Sequence, residues 1–457
     1  MTDVYGHLFQ KLLYPSWESG LRRRPTLTHL ADLERTQWAS LDELNRIQEV
    51  ELGKLLRHAY ESTPYYRRRF DEISAHPDDV RAVEDLTKLP LMTRDEATDT
   101  LDERTSRRPP LPEIKKMTSG TTGRPLKFAY DRGSEYWRQA AKLRGYAWAG
   151  YHPGDRALHF WGSVASVQAQ RAHTRVKQGL DHFVRRETYV NCADLSEAAL
   201  DEAVSKIRRL RPSVIVCYAQ AGAALARYIV ESKKRDWNDI VVVSAAERLF
   251  PQDRAFMVEA FGPGVFETYG SREVMLIAAE CPSHEGLHVS MENLVVEVVV
   301  REDGKVRLAK PGELGEVVIT DLHNYGAPFI RYANGDLAIA LPDGRCSCGR
   351  ALKRLAAIEG RVSETLRDGA GRPVTGMFFA VLFSTLADKV RRFQVVQRRD
   401  RSIELKLVPG SAFDDSLLST VRTNCEKFLP GVDLRTEVVP DIPVPPSGKH
   451  RVVMVES

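Results

Sequence analysis

The fold is indicated most strongly by the stretch Thr118-Ser119-Gly120-Thr121-Thr122-Gly123-Arg124-Pro125-Leu126-Lys127. Its two glycines permit backbone conformations closed to other residues, so consecutive N–H groups can face inward and bind an anion. The hydroxyl groups add donors, and Arg124 and Lys127 add positive charge. A Walker A loop is excluded because Lys127 comes four residues after the second glycine. The stretch predicts a phosphate-binding loop, with an ordinary polar turn as the alternative.

Composition places the chain among ordinary globular proteins of two or three domains, since it has 457 residues. A net charge of +4, from 66 basic and 62 acidic residues, argues against a nucleic-acid partner. No apolar run approaches the roughly 18 residues that a membrane helix needs. The first residues lack the pattern of a secretory signal, and six cysteines do not make a disulfide scaffold. We therefore expect a cytoplasmic protein with reduced thiols and no membrane partner.

Residues 1–105 have the pattern of a mainly helical region. Apolar residues such as Leu44 and Leu52 recur at helical spacing after Ser40, a typical N-cap. Thr63-Pro64 should end this helix, because proline disfavours helical geometry in the residue before it. A further helix is predicted over 133–148.

Between residues 150 and 270, apolar runs alternate with helical patterns. Strands are predicted over 156–161, 214–218 and 240–243, and helices over 196–210 and 221–232. This alternation predicts a mainly parallel sheet with helices on its faces.

Beyond residue 290 the pattern changes to short strands joined by Gly/Asp turns, over 294–300, 306–308 and 316–320. These strands predict an antiparallel subdomain. From about residue 362 a last segment, with strands over 393–397 and 403–407 and a helix near 414–429, predicts a small α+β domain. The expected fold class is α/β, with a large N-terminal domain and a small C-terminal domain.

Four further segments carry residue types suited to binding a nucleotide. Tyr269-Gly270-Ser271-Arg272-Glu273 offers an aromatic face for a heterocycle and a carboxylate for Mg²⁺. Asp336 follows a tight Asn-Gly turn, and an ionised carboxylate can accept hydrogen bonds from both hydroxyls of a ribose. Gly360-Arg361 offers a guanidinium at a domain junction, and Lys449 lies on a Pro/Gly turn near the C-terminus. Each segment alone is also compatible with a turn, a linker or a basic tail.

In this order and spacing, the five segments resemble the adenylate-forming superfamily of acyl-CoA and aryl-CoA ligases, from about residue 40 onward. The resemblance is closest to the phenylacetate–CoA ligase group and its capsular-polysaccharide (CapK-like) relatives. The most similar segments are Ser244-Ala245-Ala246-Glu247, Tyr269-Gly270-Ser271-Arg272-Glu273, Glu280-Cys281 followed by Gly286-Leu287-His288, and Phe393-Gln394-Val395-Val396-Gln397.

The resemblance implies activation of a carboxylic acid by ATP and Mg²⁺ to an acyl-adenylate, followed by transfer of the acyl group to CoA. The nucleotide-binding residues in this interpretation are Thr118, Ser119, Gly120, Thr121, Thr122, Gly123 and Lys127 near the phosphates, Ala246, Glu247 and Tyr269 at the adenine, Asp336 at the ribose, and Gly270, Ser271 and Arg361 also near the nucleotide. Glu273 would hold Mg²⁺, and Lys449 would bridge the substrate carboxylate and the α-phosphate. The expected division is a helical part of the large domain over 1–105, the ATP- and acid-binding part over 106–360, a hinge at 361–363 and a mobile domain over 364–457.

The hinge departs from the family pattern, because Ser363 and Glu364 stand where acyl-CoA ligases commonly carry aspartate. The segment after Gly369 also lacks the Asn-Val-Phe-Pro run of phenylacetate–CoA ligases. Two alternatives to CoA transfer therefore remain open. The first is an adenylate-forming ligase that acylates an amine or another nucleophile. The second is a non-catalytic, zinc-containing scaffold in glycan or secondary-metabolite biosynthesis.

Four residues form a candidate zinc site. Cys281 lies seven residues before His288, and Cys346-Ser347-Cys348 follows on a Gly/Asp-rich turn. Three thiolates and one imidazole are the ligand set of a closed structural zinc site, with buried thiols as the alternative. His284 is a reserve ligand. Cys192, Cys217 and Cys425 are assigned to packing.

The acid-binding pocket is expected beside the adenine strand, near Tyr136, Trp161, Tyr218 and Ser244, where the family places it. The aromatic side chains favour an aryl or otherwise flat carboxylic acid. Each of the four residues also suits an ordinary core position.

Overall fold

The computed structural model describes residues 4–117, 126–161, 181–192, 194–302, 304–361, 366–371, 373–374, 379, 383, 389–414, 416–443 and 452–456. The phosphate loop at Thr118–Gly123, the hinge residues Ser363 and Glu364, and Lys449 lie outside the described residues. The α-helices are α1 (Val4–Leu8), α2 (Thr26–Thr36), α3 (Leu41–Ser62), α4 (Pro64–Glu72), α5 (Arg94–Asp99), α6 (Leu101–Arg104), α7 (Arg132–Trp148), α8 (Glu197–Leu210), α9 (Ala219–Glu231), α10 (Pro251–Phe261) and α11 (Ser416–Phe428). Short π-helical segments cover Phe9–Leu13 and Ser16–Leu21, and 3₁₀ turns cover Pro77–Asp79 and Val83–Lys88.

The strands form one large sheet and three smaller ones. They are β1 (Glu113–Met117), β2 (Lys127–Asp131), β3 (Ala157–Phe160), β4 (Glu187–Val190), β5 (Val214–Tyr218), β6 (Val241–Ala245), β7 (Val265–Ser271), β8 (Met275–Glu280), β9 (Leu287–Val289), β10 (Leu294–Glu302), β11 (Lys305–Leu308), β12 (Leu314–Asp321), β13 (Tyr332–Ala340), β14 (Arg354–Arg361), β15 (Leu366–Arg367), β16 (Pro373–Val374), β17 (Val390–Gln397), β18 (Ile403–Pro409), β19 (Leu434–Val438) and β20 (Val453–Val455).

The large sheet contains twelve of the described strands, in the order β11-β10-β12-β13-β14-β9-β8-β7-β6-β5-β3-β4. Neighbouring strands from β4 to β7 pair in parallel, and those from β7 to β11 pair antiparallel. Both predicted halves are therefore confirmed, but they form one continuous sheet. Strand β7 joins them because Val265–Glu267 pair with β6 and Thr268–Ser271 pair with β8.

The parallel half is built as its sequence predicts. All five residues of β5 are buried, as expected for a strand covered on both faces. Helix α8 begins after Ser196, whose hydroxyl accepts a hydrogen bond from the backbone of Ala199 at 3.4 Å. Its buried residues are Leu200, Ala203, Val204 and Ile207. They recur at helical spacing and belong to the hydrophobic cluster that covers β5 and β6.

The N-terminal helices follow the predicted start and stop signals. Ser40 caps α3 in a capping box with Glu43, and α3 ends at Ser62. Pro64 then occupies the first position of α4, where its missing N–H removes no helical hydrogen bond. Residues of α3 and α4 pack with β2 and with the segment before β13 in one buried cluster.

The C-terminal residues form a separate four-stranded sheet in the order β19-β18-β17-β20. Their buried apolar residues, which run from Leu366 to Val453, form a cluster of their own with α11. The boundary at 361–363 and the mobility of this part stay predictions. None of the helices in the described part of the chain combines the length and apolar character needed to cross a bilayer.

Candidate functional site

The carboxyl ends of the parallel strands bring together three of the four residues predicted for the acid pocket. Trp161 follows β3 and Tyr218 ends β5, with 4.2 Å between their ring centroids. Ser244 in β6 pairs in register with Cys217 of β5 and is fully buried, and its hydroxyl has no hydrogen-bond partner among the described residues. Tyr136 lies instead on α7, which packs against β8.

The loop after β6 is held at two points. Ala246 has a positive φ of 68°, an uncommon conformation for a residue with a Cβ. The carboxylate of Glu247 accepts a hydrogen bond from the backbone N–H of Gln220 at 3.0 Å, at the N-terminal end of α9. A carboxylate is favourable there because the helix N-terminus carries partial positive charge. Arg248 then forms a two-armed ion pair with Glu359 of β14.

A hydrogen-bonded triangle joins β7 to β13. The Tyr269 hydroxyl donates to Asp336 Oδ2 at 2.8 Å and accepts from Asn334 Nδ2 at 2.7 Å. Asn334 Nδ2 also donates to Asp336 Oδ2 at 2.9 Å. These contacts fix the direction of the Asp336 carboxylate. They also bring the predicted adenine and ribose residues into one place.

Glu273 lies beside the same strand β13, in the turn between β7 and β8. Its side chain is 7% exposed, and its Oε1 atom pairs with Arg94 Nη1 at 3.1 Å. The Tyr332 hydroxyl donates to the same oxygen at 3.4 Å. Since Tyr332 and Asp336 are both on β13, the residues predicted for magnesium and for the ribose are positioned by the same strand.

The remaining predicted nucleotide-binding residues have different surroundings. Gly270 is tightly packed, because a Cβ there would lie 2.3 Å from the Met275 carbonyl oxygen. The Ser271 hydroxyl is buried with no hydrogen-bond partner among the described residues. Arg361 pairs with Asp336 in the β13–β14 register. Lys127 begins β2 and is exposed.

The predicted zinc ligands come together. The ligand atoms of Cys281, His288, Cys346 and Cys348 all lie within 4.8 Å of one another. The sulfurs of Cys281 and Cys346 are 3.8 Å apart, and Cys348 Sγ lies 3.4 Å from His288 Nε2. Tetrahedral zinc with Zn–S bonds of about 2.3 Å sets its sulfurs about 3.8 Å apart, so the spacing fits this metal. His284 is not in the cluster, since its Nδ1 atom lies 3.3 Å from Glu280.

Two neighbouring acidic side chains, the buried Glu280 and the half-buried Glu267, lie near Cys281 and the loop after β6. Arg254 binds both oxygens of Glu280 at 2.9 and 3.0 Å. Glu267 is adjacent, and its backbone N–H donates to Glu280 at 2.7 Å. Burial, followed by the negative charge of Glu280, raises the pKa of Glu267 to about 7.

Three side chains of the site were not predicted from the sequence. The Asn-Gly-Asp turn that contains Asn334 was recognised in the sequence. The contact of Asn334 with Tyr269 was not, because the two residues are 65 positions apart. Tyr332 adjoins the same motif. Arg94 gave no signal, because it precedes its partner Glu273 by 179 residues in a region predicted only as helical.

Comparisons with known proteins agree with this architecture. The family model described as the CapK C-terminal domain matches residues 367–456. The phenylacetate–coenzyme A ligase of Escherichia coli is 28% identical over 345 residues, which covers 73% of this chain and 75% of that protein. The enzyme of the same name from Thermus thermophilus is 26% identical over 387 residues, with 81% and 83% covered.

Solved structures show the same fold. A crystal structure of 2-hydroxyisobutyryl-CoA ligase in the postadenylation state superposes with a TM-score of 0.72 and 18% identity, covering 92% of each chain. The anthranilate CoA ligase AuaEII in complex with anthranoyl-AMP has a TM-score of 0.52 and 19% identity, covering 73% of this chain and 64% of that one.

The fold is that of the acyl-CoA ligases, and together with the sequence similarity to phenylacetate–CoA ligases it defines the class, which is that of the adenylate-forming enzymes. Within it, the chain is similar to the phenylacetate–CoA ligases over 73% of its length, and residues 367–456 match the CapK C-terminal domain. It is an ATP-dependent, AMP-forming ligase of the acid–thiol type.

Proposed function

We propose that the protein activates an aromatic or otherwise flat carboxylic acid, with the nucleotide bound between β7, β13 and the loop after β6. The single observation that carries this proposal is the meeting of Tyr269 with Asn334 and Asp336 of β13, the strand whose Tyr332 also contacts Glu273. Two segments 65 residues apart in sequence converge there. The acid then lies on the parallel side of β7, toward Trp161 and Tyr218.

The ribose and adenine are assigned to residues with fitting chemistry. Asp336 accepts the ribose hydroxyls, since an ionised carboxylate is an acceptor only and Tyr269 and Asn334 already orient it. Ala246 and Glu247 line the adenine side together with the ring of Tyr269. Arg361, the register partner of Asp336, approaches the nucleotide from β14.

The phosphates are assigned to the loop at Thr118–Gly123 and the magnesium ion to Glu273. A carboxylate oxygen is a ligand that Mg²⁺ prefers. When bound, the ion neutralises charge on the phosphate oxygens. Lys449 adds positive charge between the substrate carboxylate and the α-phosphate.

The two chemical steps need positioning and charge neutralisation more than covalent help. In the first, a carboxylate oxygen attacks the α-phosphorus and pyrophosphate leaves. In the second, the CoA thiol loses its proton and attacks the acyl carbonyl, a C–S bond forms, and AMP leaves with the C–O electron pair. Removing one charge contact from the first step costs roughly 10²–10³ in rate.

The aromatic preference is proposed from the pair formed by Trp161 and Tyr218. The two rings are tilted by 55° and lie at the carboxyl ends of β3 and β5, where ligands bind in open parallel sheets. Trp161 is half-buried, so part of its surface is available to a ligand. Ser244, with its unpartnered hydroxyl, supplies a polar group in the same region.

A structural zinc ion is proposed at Cys281, His288, Cys346 and Cys348. The ligand set and the spacing fit closed tetrahedral coordination, and zinc has no redox role in such a site. Elemental analysis of the purified protein should find about one zinc per chain. A Cys348→Ser variant should lose it, whereas Cys425→Ser, which alters a buried cysteine of the C-terminal cluster, should keep it.

Acid-dependent exchange of pyrophosphate into ATP tests the proposed function. Aromatic acids should support exchange better than aliphatic acids of equal size, and addition of CoA should yield a thioester. A Trp161→Ala variant should lose the aromatic preference while still binding ATP. Exchange without thioester formation would favour an amine acceptor, and no exchange with any acid would refute the function.

A further inference from the structure

The carboxylate assigned to magnesium is held by two donors on one of its oxygens. Arg94 Nη1 lies 3.1 Å from Glu273 Oε1, and the Tyr332 hydroxyl donates to that same oxygen at 3.4 Å. The side chain of Glu273 is 7% exposed and that of Arg94 is 29% exposed. Among the described residues, none donates a hydrogen bond to Glu273 Oε2.

Arg94 is held in place by the strand that carries Asp336. The backbone N–H of Met92 donates to the Arg331 carbonyl at 2.9 Å, and the N–H of Ala333 donates to the Met92 carbonyl at 2.9 Å. Thr93 then caps α5, accepting from the N–H of Glu96 at 3.2 Å. The backbone that carries the Arg94 side chain is therefore fixed to β13.

We propose that Arg94 is a positioning residue for the magnesium nucleotide. It holds Oε1 of Glu273 and neutralises part of its charge, so that Oε2 is turned toward the cation. This inference rests on the proposed role of Glu273. It assigns Arg94 to the adenylation step alone, because attack of a thiol on a finished acyl-adenylate uses no phosphate-bound cation.

A competing role would have the opposite consequence. If Arg94 only occupied the cation position, removing it would make magnesium bind more readily. If Arg94 orients the carboxylate, removing it leaves Tyr332 as the one donor to Glu273 among the described residues, and more Mg²⁺ is needed. Loss of a hydrogen bond between two charged groups predicts about a tenfold increase in that requirement.

The experiment measures the Mg²⁺ concentration for half-maximal pyrophosphate exchange, at saturating ATP and acid. Arg94→Gln should raise it about tenfold and Arg94→Lys less. Both variants should convert a supplied acyl-adenylate and CoA to thioester at the wild-type rate. Tyr332→Phe, which removes the other donor to Oε1, should raise the Mg²⁺ requirement by a smaller factor and serves if Arg94→Gln does not fold.

Arg69→Gln is the matched control. Arg69 pairs with Glu96 at 3.4 Å and donates to the Leu91 carbonyl, so it supports the same segment without contacting Glu273. Its Mg²⁺ requirement should equal that of the wild type. A lowered or unchanged requirement in Arg94→Gln, equal loss of both half-reactions, or the same shift in Arg69→Gln would overturn the inference. Absence of exchange in the wild type would instead refute the proposed function.

Discussion

Replacing Tyr269 by phenylalanine tests the nucleotide assignment most directly, because it removes one oxygen atom and keeps the ring. The hydroxyl donates to Asp336 at 2.8 Å, and a hydrogen bond to a charged group contributes roughly 1.5–3 kcal/mol. Asn334 still donates to the same Asp336 oxygen, at 2.9 Å, so the lower end of this range applies. A loss of about 1.4 kcal/mol is a factor of ten in affinity. We therefore expect Tyr269→Phe to raise the dissociation constant for ATP about tenfold.

Isothermal calorimetry or equilibrium dialysis with ATP measures this constant without turnover. Tyr66→Phe is the control, since Tyr66 is also buried and its hydroxyl makes two hydrogen bonds, to the Pro328 carbonyl at 2.9 Å and from the Ile330 N–H at 3.1 Å. It should lower thermal stability and leave ATP affinity unchanged. An unaltered ATP affinity in Tyr269→Phe, in a folded variant, would show that Asp336 does not depend on the triangle or does not bind the ribose.

Three further predictions concern stability. Arg248→Glu should lower the free energy of unfolding by about 3 kcal/mol, because it breaks a largely buried ion pair with Glu359. Adding Glu359→Arg should restore part of the thermal midpoint. A double variant no more stable than the single one would refute the pairing. The folded pKa of Glu267 is about 7, above the ordinary 4.5, so the free energy of unfolding should fall by on the order of 3 kcal/mol as pH rises from about 4.5 to 7. Urea unfolding at pH 5 and pH 8 should show a smaller fall for Glu267→Gln, and an equal fall would contradict the assignment. A chelator should lower the thermal midpoint of the wild type and leave that of Cys348→Ser unchanged, and equal shifts in both would argue against a bound metal at Cys348.

Local structure was predictable because its causes are local. The cap at Ser40, the stop at Thr63 and the buried run of β5 depend on neighbouring residues, and the observed elements begin and end within a few residues of the predicted ones. The close approach of Cys281 to Cys346 was also predictable, because the ligand types carry the signal. The pairing of β9 with β14 explains how the predicted ligands approach one another, since Arg354 of β14 lies opposite His288 of β9.

Other features depend on tertiary contacts that leave no local signal. Strand β7 makes one sheet of the two predicted parts, because its first half pairs with β6 and its second half pairs with β8. This change of pairing depends on the positions of β6 and β8 in the fold. The ion pair of Arg94 with Glu273 spans 179 residues. Glu247 was predicted beside the adenine, and its function as a cap for α9 appears only when Gln220 is brought near it.

The position of the cysteine cluster has a consequence for a cleaved chain. A metal bound there would link Cys281 and Cys346 across 65 residues, and that interval contains β9 to β13. By analogy with a covalent crosslink, closing a loop of this length removes unfolded-state entropy worth on the order of 4 kcal/mol. If a protease cut the chain within this interval, the bound metal would still hold the two fragments together. They would separate only after the metal is removed.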